Sequence, residues 1–153
     1  MDLKMIIFQL IFSYLATVSF AVTLNIPRSA LNLCGLIGAL GWLVYKSLYL
    51  VHTGIVLANL VAALVIGLSS VIAARLKKKP MILFNVPSLV PLVPGGQAYR
   101  AIYYFAFKND NLALRYLVEA GMIAGAISMG FFLAELGAQM YFKLANSTKN
   151  SLS

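Results

Sequence analysis

The sequence predicts an all-α integral membrane protein with about five transmembrane helices, the fourth of them discontinuous. Three observations carry that reading. Of 153 residues, 61% are hydrophobic and only 10% charged, with a mean hydropathy of +0.89; ordinary soluble domains carry about 25% charged residues. The apolar residues fall in long runs free of charge, each close to the roughly 20 residues a helix needs to cross a bilayer. One of those runs contains four prolines, which no straight helix accommodates. A soluble enzyme is excluded by this composition. The length leaves room for a single membrane domain, residues 1–145, followed by a polar tail at 146–153.

The first span, 5–24, holds no charged residue and stops at the turn-like Asn25-Ile26-Pro27-Arg28. Lys4 precedes it as in a signal peptide, but the run is too long for an h-region. Val18-Ser19-Phe20-Ala21 is also a poor cleavage site, so the span is expected to be retained. The second span, 29–51, has Lys46 near enough to its end to snorkel to the interface. Ala30, Cys34 and Gly38 give it a ridge of small residues. The third, 53–74, is ended by Arg75-Leu76-Lys77-Lys78-Lys79, the densest basic cluster, which suits anionic lipid. The fourth, 80–107, contains Pro80, Pro87, Pro91 and Pro94 and then Gly95-Gly96. Each interior proline deletes a helical hydrogen bond, so this stretch is interrupted and either crosses or re-enters. The fifth, 114–141, carries Glu119 and Glu135 towards its ends. Gly121, Ala124, Gly125, Ser128 and Ala138 are expected to pack it against another helix.

The net charge of +8 reflects Lys and Arg at the ends of apolar runs, which points to the membrane surface and not to nucleic acid. With five crossings, Arg28, Arg75, Lys77, Lys78, Lys79, Lys143 and Lys149 collect on one side, against Lys4, Lys46, Lys108 and Arg115 on the other. The richer side is expected to be cytoplasmic, with the amino terminus outside and the carboxyl terminus inside. The lone Cys34 offers no disulfide. With no cysteine cluster, acidic pair or second histidine, no metal is expected, and without a Walker-type loop no nucleotide or other cofactor. Ser88 and His52 are not expected to meet, so no catalytic residues are assigned and an enzyme is not expected.

The chemistry is expected at the break. Backbone irregularity at membrane depth persists only beside protein or a water-filled cavity. The free N–H groups of the helix that follows carry partial positive charge, and the glycines let a ligand approach. Pro94, Gly95, Gly96, Gln97, Tyr99 and Arg100 are therefore the candidate site for an anion, with the planar Arg100 fork suited to a carboxylate. The alternative is that the prolines only kink a packing helix and Arg100 neutralises a partner's carboxylate. Glu119 and Glu135 are candidates for carrying a coupling proton, against interfacial or salt-bridged roles. Asn59 reads as an interhelical hydrogen bond, Trp42 as aromatic belt or packing, and His52 as a loop residue.

The run Asn25-Ile26-Pro27 with Leu31, Cys34, Gly35, Gly38 and Gly41-Trp42, followed by Pro91-Leu92-Val93-Pro94-Gly95 with Ala98-Tyr99-Arg100, resembles the small, YjjB-like subunit of the threonine/serine exporter family. The resemblance extends over most of the chain, from Leu10 to Leu136. It implies a bacterial inner-membrane exporter of small carboxylate metabolites, threonine and serine or succinate-type dicarboxylates, driven by the proton-motive force. It also implies a larger, YjjP-like membrane subunit as partner, packed as an oppositely oriented half. The rival expectation is a non-transporting membrane scaffold or assembly subunit.

Overall fold

Many large apolar side chains face outward in this protein, and most of the buried apolar residues are small. The computed structural model describes residues 3–150 as α1 (Leu3–Thr23), α2 (Arg28–Leu50), α3 (Ile55–Lys77), α4 (Ile82–Ser88), a 3-10 turn (Val90–Leu92), α5 (Gly95–Ala106) and α6 (Asp110–Asn150). Ala30, Cys34, Ala58, Ala62, Ala63 and Ser70 are fully buried, whereas Phe8, Phe12, Leu36, Ile72 and Phe132 lie exposed. Water would penalise that outer surface; lipid does not, and small buried residues are what let membrane helices approach closely. Four helices, α1, α2, α3 and α6 as far as Tyr141, are long and apolar enough to cross a membrane. The protein is thus an all-α membrane protein.

Close glycine contacts set the packing. On α2, Gly35 lies against Tyr14 and Val18 of α1, Gly38 against Thr17, and Gly41 against Ile66 of α3. On α6, Gly130 faces Leu60, Ala63 and Leu64 of α3, while Gly67 of α3 faces Phe131 and Ala134. Farther along, Val71, Ala74 and Arg75 border the same space as Glu135, Ala138 and Gln139. Residue numbers rise together along α3 and α6, so these two helices run parallel. Segment 78–109 must therefore carry the chain from the Lys77 end of the bundle back to the Ile55 end. The broken path through α4, the 3-10 turn and α5 makes that return.

The small ridge expected to pack α6 divides in two. Gly121 and Gly125 have open space around them, and Ala124 and Ser128 are exposed. The face that meets α3 is set by Ile127, Gly130 and Ala134. Helix α6 also begins earlier than expected, because Asn109 Oδ1 accepts from the Leu112 N–H at 3.4 Å and Asp110 favours a helix start. It runs on to Asn150, through much of the segment expected as a separate tail at 146–153, since no proline or glycine follows Gly137 to stop it. Residues 151–153 lie outside the described residues.

The break has a specific compensation. Pro87, inside α4, cannot donate to the carbonyl of Leu83. That oxygen accepts instead from Cys34 Sγ of α2 at 3.4 Å, and Ser88 Oγ donates to the Cys34 carbonyl at 3.0 Å. Beyond the 3-10 turn, Val93 is extended at φ −58°, ψ 129°, and α5 starts afresh after Pro94.

Candidate functional site

The restart of α5 leaves backbone donors unspent. The Gly95 N–H turns back onto the Val93 carbonyl at 2.8 Å, and the Ala98 N–H takes the Pro94 carbonyl at 3.0 Å. No side chain caps this end. The N–H groups of Gly96 and Gln97 lie between those two bonds, in the first turn where helical partners are lacking and the dipole is positive.

Pro94 and Gln97 border a cavity of about 180 Å³. Its other walls come from Trp42 and Tyr45 of α2, Ile55 and Asn59 of α3, the Pro91–Val93 turn and Ile123 of α6. Asn59 is buried and its Nδ2 donates to the Ile55 carbonyl at 2.7 Å. Trp42 Nε1 is buried without a hydrogen-bond partner. Leaving such a group unpaired costs about 1–3 kcal/mol.

Glu119 is half-buried on α6, one turn before the cavity residue Ile123, and its carboxylate lies within electrostatic range of the Tyr45 hydroxyl. Glu135 is at the other end of the bundle. It is exposed, accepts from Gln139 Nε2 at 3.4 Å, and borders a cavity of about 410 Å³ with Asn85 and Phe131. The two carboxylates therefore belong to different sites.

Of the candidate residues around the break, Pro94 and Gln97 line the cavity. Gly95 and Gly96 are exposed with nothing close to them. Tyr99 is 68% exposed, its ring 6.4 Å from that of Tyr103 and outside the cavity lining. Arg100, also exposed, holds its guanidinium 5.5 Å from the centre of the Tyr116 ring, and Tyr104 stacks on that same ring. Sequence reasoning passed over Trp42, Tyr45 and Asn59 as cavity residues. Asn59 carried a signal, being the only amide in an otherwise apolar run; Trp42 and Tyr45 carried none that distinguishes a cavity wall from a membrane interface. Among the described residues no group of His, Cys, Asp or Glu is placed to hold a metal.

Fold and cavity together define a polytopic membrane protein organised around a discontinuous helix, the device by which secondary transporters present helix ends to their solutes. The chain belongs to the threonine/serine exporter ThrE family, which it matches over residues 9–136. An uncharacterized protein of Haemophilus influenzae is 29% identical over 140 residues, covering 86% of this chain and 47% of that protein. The chain thus spans about half the length of that relative. No solved structure matches it.

Proposed function

We propose that this chain is the small, YjjB-like half of a secondary-active exporter, working with a larger, YjjP-like membrane subunit to move threonine, serine or a succinate-type dicarboxylate out of a bacterial cell. The observation that carries this reading is the restart of α5, with its uncapped first-turn amides beside a cavity lined by Pro94 and Gln97. The solute carboxylate accepts from the Gly96 and Gln97 N–H groups, and Gly95 keeps the approach open. Arg100, one turn farther along α5, adds a full positive charge at the outer side of the site, with Tyr99 beside it. Glu119, near the cavity, and Glu135, at the far end, are the carboxyl groups available for a coupling proton.

The basic residues Arg75, Lys77, Lys78 and Lys79 sit at the end of α3 and face the anionic cytoplasmic leaflet in this reading, with the amino terminus outside. A topology reporter fused after Ser153 is expected to report the same side as one inserted after Lys79. Opposite sides would refute a fourth crossing.

Export from cells expressing both subunits tests the site. Gln97→Pro, which removes one of the two first-turn amide donors at a helix position where proline is tolerated, and Arg100→Ala are each expected to lower export of the carboxylate solute about tenfold or more, since a charge-assisted interaction contributes about 1.5–3 kcal/mol. Subunit levels should stay unchanged. Normal export in both variants would falsify the assignment. A fall in the larger subunit's abundance without any flux to lose would instead support a scaffold.

A further inference from the structure

At the Lys77 end of the bundle two cavities adjoin, sharing Met81 and Glu135. The one of about 410 Å³ lies between α4 and α6, and Ile82, Val86, Leu89 and Phe131 make most of its wall. Its neighbour, of about 220 Å³, lies between α3 and α6 and is bordered by Arg75 and Gln139. Together they make one groove with an apolar arm and a charged arm. Neither shares a residue with the cavity at the restart of α5.

The charges around this groove are mixed in sign. Arg75 and Lys77 belong to the last turn of α3, Lys78 caps that helix, and Lys79 stands two residues before Met81. On α6, Glu135 is exposed and accepts from Gln139 Nε2 at 3.4 Å, a long bond that leaves its carboxylate able to accept more. Lys and Arg at a helix end draw anionic lipid of any kind. An acid among them sets a narrower requirement, because an anion bound there meets repulsion unless it brings its own cation.

The ligand that fits has three parts: an anion for the basic side chains, an N–H cation for Glu135 and an apolar chain for the wall of α4. A glycerol phospholipid has the phosphate but no cation. A choline phospholipid has a cation with no N–H to donate. A small zwitterion such as an amino acid matches the charges and leaves the apolar arm unfilled.

We infer that this groove binds an ethanolamine phospholipid. Its phosphate accepts from Arg75 and Lys79, its ammonium donates to Glu135, and an acyl chain lies along Ile82, Val86, Leu89 and Phe131. Helix α4 packs on α2 and α3, so the lipid fills the space between α4 and α6 and steadies the first part of the broken helix. The inference does not depend on the exporter reading.

Native mass spectrometry of the full chain, incubated with equal amounts of ethanolamine, glycerol and choline phospholipids of the same acyl composition, tests it. The unaltered protein is expected to retain the ethanolamine lipid about fivefold more than either of the others, the upper range for an exposed ion pair. Glu135→Gln should bring the three to parity by lowering the ethanolamine lipid alone, and undiminished retention of the glycerol lipid shows that the variant folds. Val86→Trp, which fills the apolar arm, should lower all three. Equal retention by the unaltered protein, a preference kept in Glu135→Gln, or full retention in Val86→Trp overturns the inference. Displacement of the lipid by threonine or serine also overturns it and assigns the groove to a solute. Should either variant not accumulate, lipids with one, two and three methyl groups on the ethanolamine nitrogen decide on the unaltered chain. Retention that falls with each lost N–H supports the site, and a flat series overturns it.

Discussion

Gly130→Leu is expected to prevent the bundle from assembling, whereas Gly121→Leu should leave it intact. A Cβ at position 130 would come within 2.5 Å of the Leu60 carbonyl oxygen, 2.8 Å of Ala63 Cβ and 3.0 Å of the Leu64 nitrogen. Two of those atoms are backbone, so no change of rotamer relieves the clash and α6 has to move away from α3. Overpacking a core typically costs about 1–3 kcal/mol, and more where the backbone must yield. Against a total stability of about 5–15 kcal/mol that is a large share. Helix α3 has the largest buried share of the four membrane-length helices, so separating α6 from it opens the core. At Gly121 an added Cβ meets nothing within 4 Å. Gel-filtration profiles and thermal midpoints in detergent check the pair. A Gly130→Leu protein that runs and melts like the unaltered one would show that the α3–α6 contact is not the main support of the fold.

The same comparison shows where the sequence was legible. Uncharged runs of membrane length locate α1, α2, α3 and α6, because the bilayer imposes one simple requirement on every exposed residue. The prolines locate the break for an equally local reason, the loss of a donor at a fixed position. Packing faces are another matter. Gly121 and Gly130 are both small residues on one helix, and only the position of α3 decides that the second is filled and the first is open. The carbonyl freed by Pro87 finds Cys34 on α2, a pairing across 49 positions of sequence that no local pattern contains. Around the candidate site, Pro94 and Gln97 are brought to the cavity by the direction of α5, and that direction leaves Tyr99 and Arg100 exposed. Trp42 and Asn59 reach it from α2 and α3; the sequence marks Asn59 as a lone amide in an apolar run, but that both residues share one cavity wall follows only once three helices are in place.

Glu119→Gln is expected to stop uphill export and to affect the binding of amino acids and of dicarboxylates differently. The reason lies in direction. The proton-motive force drives protons inward, so a solute leaves against its gradient only if it and the proton compete for the protein. A dicarboxylate does not compete for Glu119, since protonation of that carboxyl removes a repulsion and helps the anion to bind. An amino acid does, because its ammonium is drawn to the ionised carboxylate that a proton would neutralise. For charges about 8 Å apart at an effective dielectric constant of about 20, the attraction is about 2 kcal/mol, or roughly thirtyfold in affinity. Threonine affinity should therefore be lower in Glu119→Gln, whereas succinate affinity should be unchanged or higher. Exchange of solute for solute, which needs no net proton movement, should persist in Glu119→Gln while accumulation outside the cell disappears. Binding of threonine and of succinate, measured with the unaltered and variant complexes side by side, separates the cases. Unchanged binding of both solutes together with intact uphill export in the variant would remove Glu119 from the coupling and leave Glu135, at the other end of the bundle, as the carboxyl to examine.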